Sequence, residues 1–198
     1  MNIGVVPARL ASKRLPKKIL ADLDGKPMVA HTMEQVLKAQ KLDKVILAID
    51  SEETFDALKD FGFDMVMTSK DHCSGTDRVA EVVKKNEDAE VIINIQGDEP
   101  LIDANIIDDL LGLFEDKDVN MGTAISTKLR VDDLLDDNVV KAIIDQDKNV
   151  IDFKRNIYDS EIGGLYRHIG IYGFRRNTLF RFSMLDQSPR EKKRKLEQ

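Results

Sequence analysis

The sequence predicts an α/β fold with a mainly parallel central sheet and a smaller antiparallel sheet. Three observations predict it. Short apolar runs recur at 3–7, 45–49 and 91–95, the pattern of strands covered on both faces. Segments between them space their apolar residues three and four apart, the period of helices. After about residue 135 this alternation gives way to two β-rich runs flanking a turn, which read as antiparallel.

Strand one occupies 3–7 and empties into a loop rich in cations. A turn at Asp24-Gly25 follows. Pro27 opens a helix, since its missing N–H costs nothing in the first turn; Met28, Val29, Thr32, Met33, Val36 and Leu37 form its apolar stripe. The run 45–49 ends in Asp50-Ser51, which can cap the next helix. That helix carries Phe55, Leu58 and Phe61 as its inner stripe, and Gly62 stops it. A third short strand covers 63–67. Ser74-Gly-Thr-Asp77 opens a helix bearing Val79, Val82 and Val83. The strand 91–95 ends in Gln96-Gly-Asp-Glu-Pro100, and Ile106, Leu110, Leu113 and Phe114 mark the next helix. Strands alternating with helices form parallel sheets with right-handed crossovers. Residues 139–145 and 150–154 flank the turn-like 146–149 as an antiparallel pair, 169–174 form a further strand, and Ser188-Pro189 begins a helix.

At 198 residues one domain is expected. A hydrophobic share of 42% and a charged share of 33% suit a folded domain rather than a disordered chain. A net charge of −6 argues against nucleic acid as a partner, because phosphate backbones need a basic face. The single cysteine, Cys73, rules out an intrachain disulfide and points to a reducing compartment. No apolar run reaches the roughly 20 residues of a spanning helix, so no membrane and a cytoplasmic location are the expectations.

Four groups of residues carry candidate chemistry. Arg9, Lys13, Arg14, Lys17 and Lys18 crowd the loop after strand one. Arg offers phosphate a planar fork and Lys a mobile point charge. The loop sits at the carboxyl end of a sheet strand, where open α/β sheets bind ligands. It reads either as a site for a nucleoside triphosphate or as a solvated charge run. A glycine-rich loop ending in Gly-Lys-Ser/Thr is absent, which excludes a P-loop ATPase. No Gly-x-Gly-x-x-Gly follows the strand, which counts against a dinucleotide oxidoreductase. Asp98, directly after another buried strand, is either a Mg²⁺ carboxylate beside the phosphates or a helix-capping acid. Ser74, Gly75 and Thr76 offer backbone N–H groups and hydroxyls at a helix start, for a nucleoside or merely for the cap. Arg155 has the chemistry to clamp a carboxylate. His168 is either a partner for a sugar hydroxyl or a structural histidine.

Five strings occur in order: Pro-Ala-Arg-Leu-Ala-Ser-Lys-Arg-Leu-Pro at 7–16, His-Cys-Ser-Gly-Thr-Asp-Arg at 72–78, Gln-Gly-Asp-Glu-Pro at 96–100, Arg-His-Ile-Gly-Ile-Tyr-Gly-Phe at 167–174 and Gln-Ser-Pro-Arg-Glu at 187–191. Together they closely resemble the 3-deoxy-manno-octulosonate (Kdo) cytidylyltransferases. The resemblance implies a Rossmann-like nucleotidyltransferase fold and a single domain of residues 1–198, with a nucleotide half at about 1–135 and a sugar-binding, dimerising half at about 136–198. It implies transfer of CMP from CTP to Kdo for lipopolysaccharide synthesis, with Mg²⁺ as cofactor and a homodimer as the assembly. By position it implies that Arg9, Ser12, Arg14 and Lys18 hold the triphosphate, with Pro7 and Ala8 near the base. Ser74, Gly75 and Arg78 would bind the cytidine, Gln96 would lie between nucleotide and sugar, and Asp98 would ligate the metal. Arg155, His168, Tyr172, Glu197 and Gln198 would address Kdo.

The chain also departs from this family. Lys17 stands where the family usually carries glycine, and Lys154 and Tyr158 replace a serine and a proline near the sugar loop. The family continues for several tens of residues past Leu-Glu-Gln, through an Asp-Thr-Pro segment that holds a second metal ligand. A chain truncated at its C-terminus is therefore expected. The alternatives are a cytidylyltransferase for another acidic sugar, of the 8-amino-Kdo type, and a non-catalytic remnant that binds nucleotide or dimerises.

Overall fold

The computed structural model describes residues 1–12, 15–158 and 164–194, without the side chains of Arg190 and Lys193. The chain forms two compact units. The first comprises Met1–Gly122 and Ile171–Met184, and the second Thr123–Gly170 with the described residues from Leu185 onward.

In the first unit the chain runs β1 (Asn2–Ala8), a small hairpin of β2 (Asp22–Leu23) and β3 (Lys26–Pro27), α1 (Met28–Val36), β4 (Lys44–Ile49), α2 (Glu52–Leu58), β5 (Met65–Met67), α3 (Gly75–Lys84), β6 (Val91–Ile95) and α4 (Ala104–Gly112). β1 pairs in parallel with β4 on one side and β6 on the other, and β5 pairs in parallel with β4. These strands read as continuous apolar runs because helices cover both faces. On one face Ile3, Val5, Ile46, Ala48 and Ile92 pack with Val79, Val82 and Val83 of α3. The other face takes α1 and α4, which contact β1 and β6. The β2–β3 hairpin forms a separate two-stranded antiparallel sheet.

Strand order decides where a ligand can lie. The chain steps from β1 outward to β4 and β5, then returns to place β6 on the opposite side of β1. The crossovers therefore diverge at the β1/β6 boundary, and a crevice opens outside the carboxyl ends of those two strands. The segments that follow β1 from Arg9 and β6 from Gln96 both issue there.

The strand β10 (Leu165–Arg175) closes this unit, its residues 171–175 running antiparallel to β6. A Cβ on Gly173 would meet the Phe114 ring at 2.5 Å, so only glycine lets that ring lie over the strand. α5 (Arg176–Ser183) follows and buries Leu179 in the cluster under α3.

The second unit contains β8 (Lys141–Ile144) and β9 (Val150–Lys154), the antiparallel pair the sequence predicts, and β8 also pairs with residues 165–167 of β10. β7 (Met121–Ser126) pairs with β10 as well, and α6 (Pro189–Arg194) begins where Ser188-Pro189 predicts.

Some expectations fail. In α2 the buried residues are Thr54 and Leu58, whereas Phe55 is 41% and Phe61 36% exposed. The helix is only seven residues long and gives way to a 3-10 turn at Lys59–Phe61, which rotates Phe61 off the inner stripe. Phe61 stacks instead on Phe63, with centroids 5.6 Å apart. β7 and α5 carry no clear periodic signal and were not expected.

Candidate functional site

The crevice at β1/β6 is built by close backbone approach. Gly97 lies against the end of β1: a Cβ there would sit 3.0 Å from the Pro7 carbonyl oxygen. Thr32 of α1 donates its hydroxyl to the Gly97 carbonyl at 3.1 Å, which ties the turn to the helix below it. The turn carries Asp98 to the crevice mouth. From the other side, Lys17 adopts a left-handed conformation, φ 53 and ψ 36, and turns the chain into the 3-10 helix Lys18–Leu20. Ile19 is buried and anchors that turn. Lys18 Nζ then donates to the Asp98 carboxylate, while Lys17 Nζ pairs with Glu53 at 2.5 Å. The cationic loop and the carboxylate thus share one crevice.

The remaining nucleotide-loop residues divide by exposure. Ala8 is buried at the end of β1, Pro7 and Ser12 are half-buried and Arg9 is exposed. The Leu10 N–H donates to Asp50 at 2.9 Å. Arg14 lies outside the described residues.

Ser74 caps α3 through a reciprocal box: Asp77 N–H donates to Ser74 Oγ at 3.0 Å and Ser74 N–H to Asp77 Oδ2 at 3.1 Å. The capping alternative is therefore realised. Gly75 approaches the Pro7 ring, where an added Cβ would stand 3.4 Å from Cγ. Gln96 Nε2 points to Asn94 Oδ1 at 3.5 Å. Arg78 departs from expectation. It is 2% exposed, and its guanidinium donates to Asp50 Oδ2 at 3.0 Å and to the Thr68 hydroxyl. The side chain lies beneath the crevice rather than in it. Tyr172 is 8% exposed and packs near Phe174 in the core cluster.

In the second unit Arg155 donates from Nε to the Arg194 carbonyl at 3.2 Å and from Nη1 to the Asp137 carbonyl. Under it lies Lys141, fully buried, whose ammonium donates to the carbonyls of Asp136 (2.9 Å), Val139 (2.7 Å) and Arg155. Burial pushes its pKa down. His168 is 9% exposed; Nε2 sits 3.0 Å from Thr123 Oγ1 and the ring packs edge-on to Phe153. Burial lowers its pKa from 6.5 to about 4, so the ring is neutral at pH 7. Glu197 and Gln198 lie outside the described residues. Sequence reasoning missed Lys141, Asp50 and Thr68. A lone charge in the apolar run 139–144 signals the first; nothing in the sequence distinguishes Asp50 from a simple cap.

A cytidylyltransferase from Leptospira borgpetersenii superposes with a TM-score of 0.62 over 96% of this chain and 66% of that one, at 17% identity, a likeness of fold alone. A solved CMP:2-keto-3-deoxy-manno-octonic acid synthetase complexed with CTP superposes with a TM-score of 0.90, at 34% identity over 99% of this chain and 83% of that one. Fold and crevice together define a nucleotidyltransferase of the α/β type. The cytidylyltransferase family model matches residues 3–198. The 3-deoxy-manno-octulosonate cytidylyltransferase of Geobacter sulfurreducens is 39% identical over 100% of this chain and 86% of its own length. That of Francisella tularensis subsp. tularensis is 41% identical over 98% and 82% respectively. The chain belongs to the 3-deoxy-manno-octulosonate cytidylyltransferase family.

Proposed function

We propose that this protein transfers CMP from CTP to the anomeric hydroxyl of Kdo, releasing pyrophosphate and supplying the activated sugar for lipopolysaccharide synthesis. The observation that carries the reading is the meeting of Lys18 and Asp98 across the β1/β6 crevice, in a chain whose relatives at about 40% identity bear that activity in their names. Action as a cytoplasmic homodimer is part of the proposal; among the described residues no helix is long and apolar enough to cross a membrane.

The chemistry is a displacement at phosphorus. The sugar hydroxyl forms a bond to the α-phosphorus, the bond to the bridging oxygen breaks, and the hydroxyl proton leaves to solvent. Catalysis of this kind is positioning plus neutralisation of charge. Arg9 and Lys18 neutralise the phosphates, and the first-turn N–H groups of α3 add donors beside Pro7. No cluster of three or more His, Cys, Asp or Glu fit to hold a metal occurs among the described residues. A lone carboxylate does fit Mg²⁺, which takes one or two carboxylates and completes its shell from phosphate and water. Asp98 would hold it, and the ion when bound supplies neutralisation at the phosphates. For the sugar acid the resemblance assigns Arg155 and His168 of the second unit; Arg155 donates to the backbone carbonyls of Arg194 and Asp137, and the neutral His168 is buried beside Thr123.

The test is pyrophosphate release from CTP with Kdo and Mg²⁺, beside calorimetric binding of CTP. The expected result is turnover by the wild type and its loss in Asp98→Asn, with the fold retained. Near-normal release by Asp98→Asn would remove the metal role; a wild type that fails to bind CTP would overturn the whole reading. A panel of acidic sugars fixes the acceptor.

A further inference from the structure

We infer that the buried pair Arg78–Asp50 is a positioning device for the phosphate loop, and that Arg78 acts through Asp50 rather than by touching the nucleotide. The inference rests on the CTP reading above. Three strand ends converge on this pair. Asp50 follows β4, Thr68 follows β5 and Leu10 follows β1. Asp50 divides its carboxylate: Oδ2 accepts from Arg78 Nη2 at 3.0 Å, and Oδ1 accepts from the Leu10 backbone N–H at 2.9 Å. Arg78 also donates to the Thr68 hydroxyl, whose proton goes to the Ile49 carbonyl at 2.8 Å. The Thr68 N–H reaches the same carbonyl at 2.8 Å. Every group in the chain of contacts is therefore oriented by another.

Two physical arguments give this arrangement a purpose beyond stability. A buried ion pair is a poor stabiliser, because desolvation offsets the attraction and apolar residues of similar volume serve as well or better. Apolar residues, however, offer no acceptor to Leu10. The loop that begins at Arg9 and reaches Lys18 would then lose its fixed starting point. The second argument is charge. A lone carboxylate beside a triphosphate would repel it; Arg78 cancels that charge from beneath, so Asp50 can hold the loop without weakening the field of its cations. At 2% exposure Arg78 presents almost no surface to a ligand.

The experiment compares wild type, Asp50→Ala and the double variant Arg78→Met/Asp50→Leu, the latter leaving no buried charge unpaired. Calorimetry reads the binding of CTP and of cytidine, thermal unfolding reads the fold, and amide exchange reads residues 9–12. A tether for the phosphate loop predicts that the variants bind CTP about tenfold more weakly. Cytidine binding changes far less, and exchange at Leu10 rises. A folded double variant with CTP affinity within about twofold of wild type overturns the inference, that much being less than one ordinary hydrogen bond. Equal losses for cytidine and CTP also overturn it, since they would put Arg78 against the nucleoside. If the double variant does not fold, Asp50→Ala decides: it leaves Leu10 no side-chain acceptor, and unchanged CTP binding refutes the tether. Failure of wild type to bind CTP refutes the function instead, and leaves the exchange of Leu10 as the readout of the tether.

Discussion

Lys17 gives the sharpest quantitative prediction. It holds φ 53, in the left-handed region that glycine adopts most readily. A non-glycine residue there costs roughly 1–2 kcal/mol. Its side chain offsets part of that through the pair with Glu53, but both partners are half exposed, at 57% and 50%, and such pairs contribute about 0.2–1 kcal/mol. Replacing Lys17 by Gly therefore changes two things at once, and the sign of the sum is not decisive. Lys17→Ala loses the pair and keeps the strain; Lys17→Gly loses both. The difference between the two variants isolates the backbone. Relief of strain, less the roughly 0.4–1 kcal/mol that glycine costs through the unfolded chain, favours Gly over Ala by about 0.5–1 kcal/mol. In a protein of this size that separates the melting temperatures by about 2 °C, with glycine the higher. Differential scanning calorimetry on the two variants reads it. At an ordinary position the order is reversed, so Lys17→Ala melting above Lys17→Gly would refute the left-handed turn and with it the path that brings Lys18 to Asp98.

Gly97→Ala places a methyl 3.0 Å from the Pro7 carbonyl oxygen, which cannot move aside; the turn must shift, and kcat/KM with CTP should fall by about tenfold or more. Wild-type kinetics in that variant would show that the turn need not lie against β1. His168 binds its proton more weakly folded than unfolded, so its contribution to stability is complete above about pH 6.5 and is lost as pH falls toward 4. The full excursion is about 3 kcal/mol at about 1.4 kcal/mol per pH unit. Urea unfolding across that range should show a flatter profile in His168→Gln than in wild type; parallel profiles would contradict a buried neutral ring. Lys141→Met removes the donor to three carbonyls and should lower unfolding free energy by about 3 kcal/mol or more. An unfolding free energy from urea within about 0.5 kcal/mol of wild type would refute that role.

The order of strands and helices in the first unit was legible in the sequence because it is set locally. Runs such as 45–49 are apolar throughout, and a short strand covered on both faces is the element that buries such a run. The loop of cations and the Asp98 turn were legible too, because both follow such runs directly and strand ends bear ligand loops. What the residues do once there was not legible. Arg78 and Ser74 both belong to the string 72–78, yet one turns inward to Asp50 and the other spends its hydroxyl on a cap. That choice depends on which strand ends lie beside the helix, and their neighbours are fixed by pairings some 40 and 90 residues apart along the chain. Phe55 and Phe61 show the same limit, since periodicity cannot register that a helix tightens before its last turn. Sequence by itself determined which segments fold and where charge gathers. Only the tertiary structure decided which charges meet, because a side chain's partner is set by contacts between segments that no local pattern encodes.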